Sequence, residues 1–248
     1  MKRVFQMKVQ KMIKTSLLAA ALSMALAGNA MAAVNNGGFA GNSLTGWSFL
    51  GDVTTQSGGA FLTTASLDFQ DDFPEDAGTF NASGVSAYDV ALGGFEAFAG
   101  LNAGDLDTPD FAYEGSLLKQ TISVNAGDTL SFSWNMFSNE GGELSPKPDY
   151  AFVAINGILT KLSPAANALI PSVPYDFSTG ASLFSQTFAS ASSVTLAFGV
   201  VDITDYGVTS ALWLDNVKLT AAVPEPESYA MLLAGLGFIV ASSRRRNV

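Results

Sequence analysis

Tyr150-Ala151-Phe152-Val153-Ala154-Ile155-Asn156-Gly157-Ile158-Leu159-Thr160-Lys161-Leu162 decides the fold class. Both flanks are rich in residues that pack well on a pleated surface, and the Asn-Gly between them is favoured in type I′ turns, whose twist suits a two-residue hairpin. Upstream, Leu130, Phe132, Trp134 and Met136 alternate with Ser131, Ser133 and Asn135, the period of a half-buried strand. Asn125-Ala126-Gly127-Asp128 separates that run from Gln120-Thr121-Ile122-Ser123-Val124. A second hairpin is therefore expected there, with glycine supplying the positive-φ position. Downstream, residues 194–200 and 211–214 read as strands, and a last strand over 217–220 follows a bulge at Asp215-Asn216.

No part of the body keeps a helical period beyond two turns, and long Gly-, Pro- and acid-containing loops, 70–86 and 138–149, join the strands. The expectation is an all-β chain, a two-sheet antiparallel β-sandwich of jelly-roll type with roughly eight to ten strands. A β-solenoid is the rival architecture, but no fixed-period repeat is present.

The ends follow a different logic. Lys2, Arg3, Lys8, Lys11 and Lys14 open the chain, an uncharged apolar stretch runs from Leu17 to Ala27, and Ala30-Met31-Ala32 supplies small residues. That order reads as a secretory signal peptide over residues 1–32, with Ala30 and Ala32 marking the cleavage site, Ala33 the neighbouring choice and Met7 or Met12 alternative starts. The apolar run is shorter than a spanning helix needs. At the other end, Val223-Pro224-Glu225-Pro226-Glu227 breaks the chain, residues 228–243 carry no charge, and Arg244, Arg245 and Arg246 follow. Sixteen uncharged residues make a helix of about 24 Å, and arginines that snorkel to headgroups extend its reach, so a short C-terminal transmembrane helix is expected. The domain plan is thus 1–32 signal, 33–222 β-sandwich and 223–248 sorting tail.

The 248 residues contain no Cys and no His, which removes disulfides, thiolate zinc sites, histidine metal ligands and any Ser-His-Asp triad. Residues 34–223 hold only Lys119, Lys147, Lys161 and Lys218 against twenty acids, a net charge of −16. Such a surface repels phosphates and anionic lipid, so nucleic acid is not an expected partner. It suits a soluble extracellular domain, or one that holds calcium on oxygen ligands.

Pro224-Glu225-Pro226, a short apolar segment and the terminal Arg cluster resemble the PEP-CTERM sorting signal of Gram-negative bacteria. That resemblance implies export through the Sec translocon, transient anchoring in the inner membrane and cutting near Pro-Glu-Pro by the membrane protease exosortase. It further implies a destination at the cell surface or in the extracellular matrix, often beside exopolysaccharide. Glu227 departs from the pattern, since a small residue more often follows the motif. In the body, Asn36-Gly37-Gly38-Phe39, Leu44-Thr45-Gly46-Trp47 and Trp213-Leu214-Asp215-Asn216-Val217 resemble the frame of carbohydrate-binding-module-like jelly rolls. There the first and last strands lie close and calcium often bridges them. Asp215 matches, whereas Ala40 stands where the second acid belongs.

Three acidic groups are candidate calcium ligands: Asp68, Asp71, Asp72, Glu75 and Asp76; Asp105, Asp107 and Asp110; Asp202 and Asp205. Asp105 and Asp107, with Asp215, are the named choices, because alternating acids can converge on an ion that wants six to eight oxygens. None has the EF-hand spacing, and solvated loop charge, which keeps a secreted protein soluble, is the preferred explanation. Two carboxylates also serve glycosidases, but twenty acids supply such a pair by accident. The expectation is therefore a non-enzymatic protein. For glycan stacking, Tyr113 and Tyr206 are the candidates, with Tyr88 and Tyr175, all read as exposed loop residues, while Trp47, Trp134 and Trp213 are assigned to packing. Asn81-Ala82-Ser83 matches the glycosylation acceptor and is read as incidental.

Overall fold

The structure is a computed structural model that describes residues 33–67, 75–140, 149–223, 231 and 233–238. Thirteen strands form among these residues. One sheet contains β1 (Ser48–Leu50), β5 (Ala112–Val124), β12 (Ser192–Ile203), β7 (Tyr150–Ile155) and β8 (Ile158–Pro164) in that order, and β4 (Tyr88–Asp89) also pairs with β5. The second contains β2 (Asp52–Gln56), β3 (Gly59–Thr63), β13 (Ser210–Thr220), β6 (Thr129–Ser138), β10 (Phe177–Ser178) and β9 (Ile170–Pro171), with β11 (Ser182–Thr187) beside β6. All these pairings are antiparallel. This is the two-sheet antiparallel sandwich that the strand periods predict.

The alternation inside each strand builds the core. Leu130, Phe132, Trp134 and Met136 of β6 face Val194, Leu196, Phe198 and Val200 of β12, with Ala151, Val153 and Ile155 of β7 and Leu118, Ile122 and Val124 of β5. Phe132 and Phe198 meet edge to face across the two sheets, with ring centres 4.8 Å apart. A second apolar layer covers the outside of the β12 sheet. Helix α1 (Phe95–Ala99) and the loop after it bring Phe95, Leu101 and Leu106 onto Leu117, Tyr150, Phe152, Ala197 and Val201. That layer explains why β7 is buried along its whole length instead of alternating.

The Asn156-Gly157 hairpin is present, with φ of 54° and 79°, joining β7 to β8 as a type I′ turn requires. The bulge near Asp215 is also present, as a register shift between Asp215 and Lys218 on β6. The other expected hairpin is not. Asn125–Asp128 joins β5 of one sheet to β6 of the other, and the two strands share no ladder. The glycine is at positive φ (85°), as expected, but the turn is an arch between layers. Its carboxylate explains the shape. Asp128 accepts from the Asn125 N–H at 2.8 Å and from the Ala222 N–H at 3.1 Å, so the arch is tied to the end of β13 and not to its own neighbour.

A second crossing occurs at Gly51, between β1 and β2. Its φ is 81°, and a Cβ there would lie 2.4 Å from Ser116 Oγ. Ser116 accepts from the Asp52 N–H at 2.7 Å and donates to the Thr63 carbonyl at 2.6 Å. Asp52 is fully buried, and its carboxylate accepts from the Thr63 hydroxyl and from the N–H groups of Ala82 (2.8 Å) and Ser83 (2.7 Å). One carboxylate therefore gathers β2, β3 and the loop above them.

Candidate functional site

The sorting residues come first, because the sequence singles them out most sharply. Ala30 and Ala32, Pro224, Glu225 and Pro226, and Arg244, Arg245 and Arg246 lie outside the described residues. Met231 and residues 233–238 are helical, and among the described residues no helix is long and apolar enough to cross a membrane.

At the body's start and end, the expected frame assembles. Phe39 is buried and stacks on Trp47 at 5.7 Å, and Trp47 donates its indole N–H to the Asn36 carbonyl at 3.2 Å. Val217 donates its N–H to the Gly37 carbonyl at 2.8 Å, which brings the N-terminal loop beside the last strand. Asp215, at the bulge, accepts from the Asn216 amide at 2.9 Å on one oxygen, while its Oδ1 is buried without a hydrogen-bond partner. Ala40 places no carboxylate opposite it.

Asp105 and Asp107 are spent on their own loop. Asp105 accepts from the Asn102 N–H at 2.8 Å, and Asp107 accepts from the Ala112 N–H at 2.9 Å. Among the described residues, no group of three acids is arranged to hold a metal ion. Asp68, Asp71 and Asp72 lie outside the described residues. The Asn81 amide braces its own loop, donating to the carbonyls of Ala65 (3.1 Å) and Val85 (2.7 Å).

Tyr113 and Tyr206 do come together, edge to face with ring centres 5.0 Å apart. Tyr206 lies in the loop between β12 and β13, as expected, but the other candidates do not sit in open loops. Tyr113 sits on β5, and Tyr88 on β4, while Tyr175 is buried. Burial first, then the charges of Asp89, Glu114 and Asp202 with Tyr113 among them, pushes the Tyr206 phenol up. Glu114 and Asp89 also line a cleft of about 550 Å³ with Phe49, Leu50, Tyr88 and Leu92.

A different aromatic group lies elsewhere, and of its members only Tyr175 is among the stacking candidates expected from the sequence. On the outer face of the β13 sheet, Phe61 and Trp213 are cross-strand neighbours, and Phe137 and Tyr175 pack beside them. Phe61, Phe137 and Tyr175 have ring centres 5.7–6.2 Å apart. With Val173 and Gln56 they line a recess of about 240 Å³, in which the Trp213 ring is partly exposed and its N–H is held by the Gln56 carbonyl at 3.2 Å. The signal was present in β6. Phe137 takes the parity occupied by Ser131, Ser133 and Asn135, the side facing away from the core.

Comparison with known proteins adds one assignment. No curated protein matches the chain. Among solved structures, one titled "CBM4 structure and function" is similar, with 13% identity, a TM-score of 0.32, and coverage of 75% of this chain and 98% of that one. Another, TmCBM61 in complex with beta-1,4-galactotriose, is similar with 9% identity, a TM-score of 0.34, and coverage of 75% and 96%. Overlays this loose assign no site. Residues 222–246 match the PEP-CTERM protein-sorting motif. By that motif the protein is an exported one, sorted by exosortase.

Proposed function

We propose that the protein is a non-enzymatic cell-surface or matrix protein that works among hydrated exopolysaccharide. The observation that carries this reading is the sorting motif at 222–246. The Sec translocon recognises residues 1–32, exosortase removes residues 223–248 near Pro224–Pro226, and the sandwich of residues 33–222 is the delivered cargo. Its charge of −16 favours solubility in a polymer bed and disfavours nucleic acid. Mass spectrometry of the secreted protein should find a start near Ala33 and an end near Pro224. In a strain without exosortase, the Arg244–Arg246 end should be retained and the protein held in the inner membrane. Intact protein in the cytosol would overturn the reading.

The recess under Trp213 favours a second reading, a weak glycan-binding module. Ring faces bury the apolar C–H surface of a sugar at low entropic cost. A glycan array should then show binding that Trp213→Ala abolishes. A reducing-sugar assay on any polymer bound separates that module from a hydrolase.

A further inference from the structure

The parity that fills the core with apolar side chains also places an unusual row at one end of it. On β5 the core-facing positions run Val124, Ile122, Gln120, Leu118, Ser116, Glu114; on β12 they run from Val194 to Val200 and then Asp202; on β7 they are Ile155, Val153 and Ala151, with Asp149 next. Asp202 pairs with Glu114, and Glu114 with Asp89 of β4. Val201 pairs with Tyr150, which sets Asp149 beside Asp202. Four carboxyl groups thus form one row across four strands. Glu114 and Asp202 are 2% exposed and Asp149 is 0% exposed. Across from it, on the other sheet, Ser138 and Ser210 are buried side by side, and Ser138 also holds the Glu140 N–H.

Like charges directly opposite one another destabilise a ladder, and a buried carboxylate without compensation is costly. The described lysines are committed elsewhere. Lys119 lies over the Phe98 ring, Lys161 over the outer face of Tyr150, and Lys218 is exposed past the bulge. Strand register nevertheless sets the two buried carboxyls of Asp149 and Asp202 side by side, each acting on the other. Two ionised carboxylates have acceptors and no donor between them, so a hydrogen bond joining these neighbours requires a proton on one of them. Asp149 already accepts from the Ile203 N–H at 3.1 Å and from the Ser210 hydroxyl at 2.7 Å, whereas Asp202 Oδ2 is buried with no donor. Ser210 belongs to the opposite sheet and stands 3.1 Å from Ser138.

We propose that Asp149 and Asp202 share one proton, that this sharing joins them while Ser210 ties Asp149 to the opposite sheet, and that loss of the proton sets two buried charges against each other and loosens this end of the sandwich. A calcium bridge would need six to eight oxygens, and no group of three acids converges among the described residues. Among the described residues, the titratable groups facing the pair are Glu114 from β5, Asp89 beyond it on β4, Asp205 from the β12–β13 connection, and the Tyr206 phenol. All are neutral or negative. Burial is the first influence on both acids. It pushes Asp149 up to about 7 against the lowering effect of Ser210 and Ile203, and it drives Asp202 well above the ordinary carboxylate range, with the charges of Asp149 and Glu114 adding to it.

The sign follows. The folded chain keeps a proton that the unfolded chain releases near pH ~3.9. Stability is therefore fully present below that pH and falls as pH rises toward 7, by about tenfold in the folding constant per pH unit for each proton held. Denaturant midpoints of the full chain should decline between pH 4 and pH 7. Asp202→Asn should flatten that decline and raise the midpoint at pH 8, while Asp110→Asn, in an exposed loop, should leave the slope intact. The infrared stretch of a protonated carboxyl should persist in the wild-type chain above pH 5 and disappear in alkali, a reading that does not depend on any variant folding. A wild-type profile that is flat or rising from pH 4 to 7 overturns the proposal, as does a slope that Asp202→Asn leaves unchanged. Recovery of the acid midpoint at pH 8 by millimolar calcium would also overturn it, since a metal ion would then be the bridge.

Discussion

Asp52 shows how one side chain can hold a layered fold at a crossing. The chain leaves one sheet at Gly51 and enters the other at Asp52, so the backbone there belongs to neither ladder for one step. The Asp52 carboxylate takes the Thr63 hydroxyl and two loop N–H groups, and all of them would be left without that acceptor if it were removed. Three hydrogen bonds to one buried acceptor, together with the cost of stranded donors, put Asp52→Ala at a loss of about 3 kcal/mol, measurable as a lower denaturant midpoint with an unchanged slope. Nothing in Gly51-Asp52-Val53 announces this role, because the partners come from residues 63, 82 and 83 and only the fold brings them near. Asn36 is the contrary case. It was legible through the Asn-Gly-Gly-Phe frame, and its side chain does brace the turn, donating to the Ser43 carbonyl at 2.7 Å and accepting from the Ala40 N–H at 2.9 Å.

Strands were read best where both their period and their turn are local. β7 and β8 meet through Asn156-Gly157 as expected, and Gly157→Ala should cost about 1 kcal/mol, because its φ of 79° disfavours a Cβ and the Gly100 carbonyl lies 3.0 Å from where that Cβ would stand. β5 and β6 were misread. Their alternation is real, but period two says which side chains share a face and not which strand supplies the ladder. The choice between hairpin and arch was made by Asp128, whose second partner, Ala222, is 94 residues away. Phe198→Ala should be the costlier substitution, at about 4 kcal/mol in chemical denaturation, since the ring joins Phe132 of one sheet to Trp47 of the N-terminal loop. The outer aromatic recess escaped notice because Phe61 and Trp213 become neighbours only through the β3–β13 ladder.

Over the whole molecule, two acidic sites of opposite tendency shape the response to pH. The Asp149–Asp202 pair loses stability as pH rises. Asp128 does the reverse. The Asn125 N–H, and after it the Ala222 N–H and the Asn125 amide, hold its carboxyl below the usual range despite burial, so its contribution is present above the ordinary carboxylate pKa and is lost as pH falls through the lowered one. The melting midpoint should therefore pass through a maximum on the acid side of neutrality, and Asp128→Asn should soften only the acid limb. Removing residues 224–248 should leave that curve unchanged, since the last described tie of the body is made by Ala222.

The Ala222–Asp128 tie also sets an orientation. The row of carboxyls lies level with Ser210, at the beginning of β13, whereas that strand ends at Thr220, ten residues and about 33 Å further on, just before Ala222. A pull applied through the tail would therefore enter the sandwich at Ala222, at the far end of β13 from the bond between Ser210 and Asp149.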